Sequence, residues 1–452
     1  MAYADLREFI AALERAGELL RVRQEVHWRY ELGGWSRLSL EKRPPGPALL
    51  FELLTGYPAG YRVFTCGIAA TRRFCIALEL DPGTPHQELL ATYRERLDQP
   101  LPPQQVDGGP CKEHVLEGED ALLTRFPIPW WTPRDGGRYL GTWHGVVSKD
   151  PETGQRNIGT YRLMLHGPRH CSIGFLPSSH LGQHYAKSEA RGEPLEVAIV
   201  IGADETLVMA GASGFPYGVD EYAMAGGLRR APLHVTPCET VNLEAPANSE
   251  IVIEGLLLPK LRAPEGPFGE HSGYHGGGVR PRPIIAVSAI THRSDPILRG
   301  ALLGKPPTED HLLYSVACSA AAMRMFATHG PPGVTAVHCP PEGDSVMLAF
   351  IAMRPTYVGH ARNVARTFAA SSEGRYVKNV IVVDDDIDIY DFGQVWWAIN
   401  TRTQGSRDIE VQRFNASSRS DPSIPHQQGD WGDKVLIDAT KKLDYDYVPA
   451  WD

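Results

Sequence analysis

The run Glu265-Gly266-Pro267-Phe268-Gly269-Glu270 decides how the rest of the chain is read. Its glutamates stand five positions apart, a spacing that puts them about 140° apart around a helix and on opposite faces of a strand. A Gly-Pro-Phe-Gly turn removes that obstacle. Proline fixes one φ and glycine accepts left-handed values, so both carboxylates can converge on one pocket. Two carboxyls in one site can differ in pKa enough for one to act as an acid while the other stays charged. Taken alone, the pair also reads as an acidic surface turn.

A second run bears on that choice. Asn157-Ile158-Gly159-Thr160-Tyr161-Arg162-Leu163-Met164-Leu165 alternates like a buried strand but carries an arginine where Leu or Val belongs, so the guanidinium is expected to meet an anion or carboxylates. Asn157 and Arg162 differ by an odd number, and on one unbroken strand they would face opposite sides. Either Asn157 sits at the strand entrance or Gly159 marks a bulge. If both residues reach one cofactor, regular pairing is expected to break near Gly159.

Together the two runs resemble the UbiD family of decarboxylases, in which an arginine of an N-x-x-x-x-R strand lies between two glutamates of an E-G-P-[FY]-G-[ED] loop. The match in order and spacing runs from about Tyr3 to the acidic run near Asp388. The resemblance implies a prenylated FMN cofactor, a divalent metal (manganese or magnesium) and potassium at its phosphate, and reversible non-oxidative decarboxylation through a covalent substrate–cofactor adduct. Carried over residue by residue, it implies Arg162, Glu265 and Glu270 as the catalytic group, with Glu270 as proton donor. Asn157, Thr160, Arg162, Ser179, His180, Ser213 and Lys378 would contact the cofactor. Asn157, His180 and Glu221 would hold the divalent metal, and their donor types suit an ion at a phosphate. Glu221 and the backbone carbonyls of Ala212, Ser213 and Phe215 would serve potassium. Leu176 and His271 would wall the substrate pocket.

An aromatic or heteroaromatic acid is the expected substrate, because His271, Arg402 and Gln404 suit a ring bearing hydroxyl or nitrogen. Decarboxylation of an α,β-unsaturated (alkenyl) acid by cycloaddition is the alternative within the same chemistry. An FMN reductase-like enzyme is a third reading, but it needs a hydride donor and no glutamate pair. The intact set of site residues argues against a catalytically silent subunit. A flavin prenyltransferase is implied as cofactor supplier.

The rest of the sequence suits an enzyme of this kind. With 452 residues and 42% apolar content the chain can bury a large core. A net charge of -9 without a basic tract argues against nucleic acid or anionic membrane as the main partner. Apolar runs are too short to span a bilayer, and no secretory signal is visible at Met1. Seven cysteines without a C-x-x-C pair point to a reducing cytoplasm. His180 and His184 have the spacing of a helical zinc pair, but no third ligand sits at motif distance. Asp384 to Asp388 reads as a solvated acidic turn before it reads as a cation site.

The expected fold class is α/β (α+β). Residues 1–105 form a small N-terminal α/β unit that opens on a helix capped by Asp5 and Glu8, with residues 99–109 as a linker. Residues 106–303 carry short strands separated by Gly and Pro, a barrel-like pattern, and the resemblance implies a split β-barrel binding the flavin. Residues 304–430 form a C-terminal α/β unit, in which a helix over residues 392–401 buries Val395, Trp396 and Ile399. Residues 431–452 form a tail. Trp396, Trp397, Tyr445, Tyr447 and Trp451, in a region without catalytic motifs, fit the implied pairing of subunits into a homodimer or higher homo-oligomer.

Overall fold

The computed structural model describes residues 3–418, 420–425 and 431–448; Trp451 lies outside them. The chain divides into two compact units, one of residues 1–304 with 308–310, the other of residues 305–307 with 311–452.

The first unit opens as its sequence dictates. In the helix Leu6–Arg15, Asp5 accepts a hydrogen bond from the Glu8 amide at 3.0 Å and Glu8 reaches back to the Ala4 amide at 2.7 Å, a reciprocal cap. Leu6, Phe9, Ile10 and Leu13 form its buried stripe. A small sheet follows in the order Leu19–Val26, Ala48–Leu54, Arg62–Thr65, and its fourth strand is Ile297–Arg299, contributed from far along the chain. Residues 99–109 are more than a linker, since Gln104–Gln105 pairs in parallel with His234–Pro237.

The largest sheet runs Tyr139–Gly141, Leu163–Leu165, His170–Ile173, Arg280–His292, Ile251–Glu265, Leu195–Ile201, His144–Lys149, Arg156–Gly159, with His114–Glu117 also paired to Arg280–His292. Its outermost strands are joined by very short links. Gly141 leads to His144, and Gly159 leads to Leu163. Four residues reach no more than about 14 Å, so the sheet must curl until its edges approach each other. The break expected near Gly159 is therefore a crossing from one edge of the sheet to the other. Leu49, Phe51, Val63, Phe126, Trp131, Ile199, Ile253 and Ile285 share one apolar core, so the small sheet and the barrel are packed together.

The second unit holds a five-stranded sheet in the order Val334–His338, Leu348–Met353, Asn379–Asp384, Trp431–Ala439, Ile409–Ala416. Leu348–Met353 and Asn379–Asp384 are parallel and connected through the helix His360–Ala370. Trp431–Ala439, expected within a tail, is instead an inner strand of this sheet. The helix Phe392–Arg402 buries Val395, Ala398 and Arg402, with Ile399 half-buried. Trp396, expected inside, is 57% exposed, because it lies about 100° around the helix from Val395.

Candidate active site

Arg162 stands at the edge-to-edge crossing, and the turn of residues 265–270 comes to meet it. Its Nε and Nη2 donate to the two oxygens of Glu265 at 2.8 and 3.0 Å, a bidentate pair, while Nη1 donates to Glu270. Both carboxylates thus converge on one guanidinium, and Glu265 is fully buried. Burial opposes the charge on Arg162, but Glu270 and Glu265 outweigh it and raise its pKa. The Phe268 ring lies 5.4 Å from the guanidinium carbon. Gly266, at φ +95°, needs the left-handed freedom of glycine, and a β-carbon there would also sit 2.5 Å from the Gly278 carbonyl oxygen.

A segment not singled out from sequence cradles this turn. The Gly136 amide donates to the Pro267 carbonyl at 2.7 Å, and a β-carbon on Gly136 would lie 2.0 Å from the Gly266 oxygen. Asp135 accepts from the Gly269 amide at 2.9 Å and from the Thr132 amide at 2.8 Å, and lies 3.2 Å from His275 Nε2. Burial pushes the Asp135 carboxyl upward, against those amides. The Tyr139 hydroxyl donates to Glu265 at 2.9 Å, its ring 4.4 Å from that of Phe268. Arg282 Nε stands 3.7 Å from the other Glu265 oxygen. Asp135-Gly136-Gly137 carries ordinary turn chemistry in sequence, and nothing local marks it as a partner of a loop more than a hundred residues away.

Asn157, His180 and Glu221 form a second cluster at the other end of the crossing. His180 Nδ1 and Asn157 Oδ1 are 2.9 Å apart. With Nδ1 donating, Nε2 keeps the lone pair a cation needs, and burial holds the ring's pKa below the ordinary histidine value. The Asn157 Nδ2 is buried without a hydrogen-bond partner. Glu221 accepts from the Ile158 amide at 3.0 Å, yet desolvation pushes its carboxyl up to about 7. Nearby Arg156 is committed to Asp220 and Glu244. A buried carboxylate, a neutral imidazole and an amide fit a divalent cation. Ser179 caps the helix His180–Arg191, a helix start of the kind that favours a phosphate. Ala212 ends the helix Glu205–Gly211, and Ser213 and Phe215 follow on the connection to Glu221, so the expected potassium ligands share one short stretch. The Ser213 hydroxyl itself is engaged by Tyr93 and the Met209 carbonyl.

Thr160 and His271 are half-buried, and Leu176 is 36% exposed. Lys378 belongs to the second unit, where its ammonium binds Asp421 at 2.9 Å and Ser423 at 2.6 Å. Arg402, considered for a substrate ring, is buried and bound to Asp384 and Asp386, so it closes the acidic run. His184 pairs with Ser148 at 3.0 Å, outside any zinc geometry.

Comparison with known proteins gives a consistent result. Residues 10–93, 104–306 and 311–439 match the N-terminal, Rift-related and C-terminal domains of 3-octaprenyl-4-hydroxybenzoate carboxy-lyase, the UbiD domains. An uncharacterised protein of Archaeoglobus fulgidus is 34% identical, covering 100% of this chain and 95% of that protein. The UbiD-class enzyme HmfF of Pelotomaculum thermopropionicum, in an evolved dimeric form with prFMN, superposes with a TM-score of 0.85 at 33% identity over 99% of this chain and 97% of its own. Vanillic acid decarboxylase of Sedimentibacter hydroxybenzoicus, in its closed form, gives a TM-score of 0.91 at 30% identity over 100% of this chain and 95% of its own.

Proposed function

The chain belongs to the UbiD family and is a carboxy-lyase of that class; from this premise we propose that it removes carbon dioxide from an aromatic or heteroaromatic acid with prenylated FMN. One observation carries the reading: a half-buried arginine shared between two glutamates of one six-residue turn, the first of them fully buried. When bound, the prenylated flavin supplies the electron sink that loss of carbon dioxide from an sp² carbon requires. Glu270, at the outer end of the charged chain and 13% exposed, delivers the proton to the vacated carbon. Arg162 fixes where that carboxyl stands, and Glu265 fixes Arg162. Asn157, His180 and Glu221 would hold a divalent metal against the cofactor phosphate, with the Glu221 loop serving potassium. The aromatic substrate class is supported by the vanillic acid decarboxylase likeness.

Maturation then depends on a flavin prenyltransferase as supplier. Seven free cysteines support a reducing, cytoplasmic setting. Exposed Trp396, Trp397 and Phe414 on the second unit support a homo-oligomer, and a monomer by light scattering at micromolar concentration would remove that claim. The deciding experiment is co-production with a flavin prenyltransferase, identification of the bound cofactor by mass, and a screen of acids for solvent deuterium exchange at the vacated carbon. Prenylated FMN with exchange into an aromatic acid is expected. Full turnover on plain FMN would exclude the mechanism, and exchange only into alkenyl acids would reassign the substrate class.

A further inference from the structure

Tyr217 is 39% exposed on the connection between two helices, yet its hydroxyl ends on a buried carboxylate. It donates to Asp150, whose same oxygen takes Lys187 Nζ at 2.7 Å and whose other oxygen takes the Glu152 amide at 2.8 Å. Asp150 is itself anchored through its backbone, to the Gln155 carbonyl and from the Gly154 amide, both at 2.8 Å. The Tyr217 ring stands edge-on to two histidines, 5.1 Å from His180 at 81° and 5.8 Å from His184 at 88°. Gly214 and Gly218, at φ +63° and +89°, bracket it and leave its stretch of backbone little intrinsic stiffness.

We propose that Tyr217, anchored on Asp150, is a positioning residue that holds residues 215–218 over His180 and so fixes the metal and phosphate end of the site. The inference rests on the reading of the Asn157, His180 and Glu221 cluster given above. Asn157 restrains the His180 ring through Nδ1, and the Tyr217 ring restrains it from a second direction. Without the second restraint the imidazole can turn about the first. The stretch that Tyr217 pins also contains Phe215 and runs directly into Glu221, so its anchor serves more than one expected ligand. Lys187 neutralises Asp150 and keeps it an acceptor.

The test uses Tyr217→Phe, which keeps the ring against His180 and deletes only the hydroxyl. Mn²⁺ is titrated into the protein with saturating FMN, and the unbound ion is read by electron paramagnetic resonance. Affinity is expected to fall about tenfold, the lower end for loss of a partner that orients a metal ligand. Amide hydrogen exchange across residues 214–219 is measured in parallel without metal or flavin and is expected to accelerate about tenfold. Asp150→Asn should act likewise, and the double variant should be no worse than the worse single one, because both break one chain. Unchanged exchange in Tyr217→Phe overturns the proposal, as does faster exchange with unaltered Mn²⁺ affinity. If the native protein takes up no Mn²⁺ with FMN, the metal reading of the site fails by itself, and the exchange result still decides whether Tyr217 holds the loop.

Discussion

The two clusters at the ends of the Gly159 to Leu163 crossing differ in how complete they are. Around Arg162 both oxygens of Glu265 are paired with the guanidinium, Tyr139 adds a further donor, and Asp135 and Gly136 pin the turn behind them. Around Asn157 an amide nitrogen is buried without a hydrogen-bond partner, and burial pushes the Glu221 carboxyl up. The first is a finished electrostatic unit, preorganised by the protein's own atoms. The second presents donor types that suit a cation. Protein atoms alone therefore fix the geometry around Arg162, while on the proposed reading the cluster around Asn157 is completed by the ion and phosphate it binds.

That contrast makes graded predictions. Glu270→Gln should lower turnover by about 10² to 10⁴, the usual worth of a positioned general acid, while flavin and metal stay bound at native stoichiometry. His180→Ala should reduce flavin and divalent metal together, by about 10- to 100-fold in metal affinity; metal lost with flavin fully retained would break the link between ion and phosphate. Tyr139→Phe should cost about 1 kcal/mol at Glu265, seen as a several-fold lower kcat with little change in Mn²⁺ affinity. Smallest is the effect of chelator on the first cluster. EDTA should lower the melting temperature of flavin-loaded protein by a few degrees, yet leave hydrogen-exchange protection of residues 265–270 unchanged, and lost protection there would show that the clusters are not independent.

The sequence carried the chemistry further than the architecture. That the two glutamates can share a pocket and that Arg162 meets an anion were legible because a turn and an out-of-place arginine are local signals, and the family resemblance joined the two; the break near Gly159 was legible on the condition that Asn157 and Arg162 reach one cofactor. What the break becomes was not legible. A crossing between sheet edges depends on Leu163 pairing with Ile173 and on Gly159 pairing with Val146, and neither partner leaves a mark in residues 157–165. The cradle from Thr132 to Tyr139 was hidden for the same reason, as was the placement of Ile297–Arg299 in the first small sheet. Trp396 shows a different failure. It is expected inside with Val395 and Ile399, but helix phase puts Val395 and Ala398 inside and leaves the indole out.

The central claim is that Glu270, and not Glu265, passes the proton, and solvent deuterium exchange tests it most directly. Glu270→Gln and Glu265→Gln are each co-produced with a flavin prenyltransferase, loaded with Mn²⁺, and incubated in D₂O with an acid the native enzyme turns over. The label at the vacated carbon is then measured per bound flavin. Exchange is predicted to collapse in Glu270→Gln with cofactor and metal intact, whereas Glu265→Gln loses it together with the anchorage of Arg162, visible as altered substrate binding or cofactor integrity. Near-normal exchange in Glu270→Gln, with abolition in Glu265→Gln alone, would contradict the assignment and reverse the two roles.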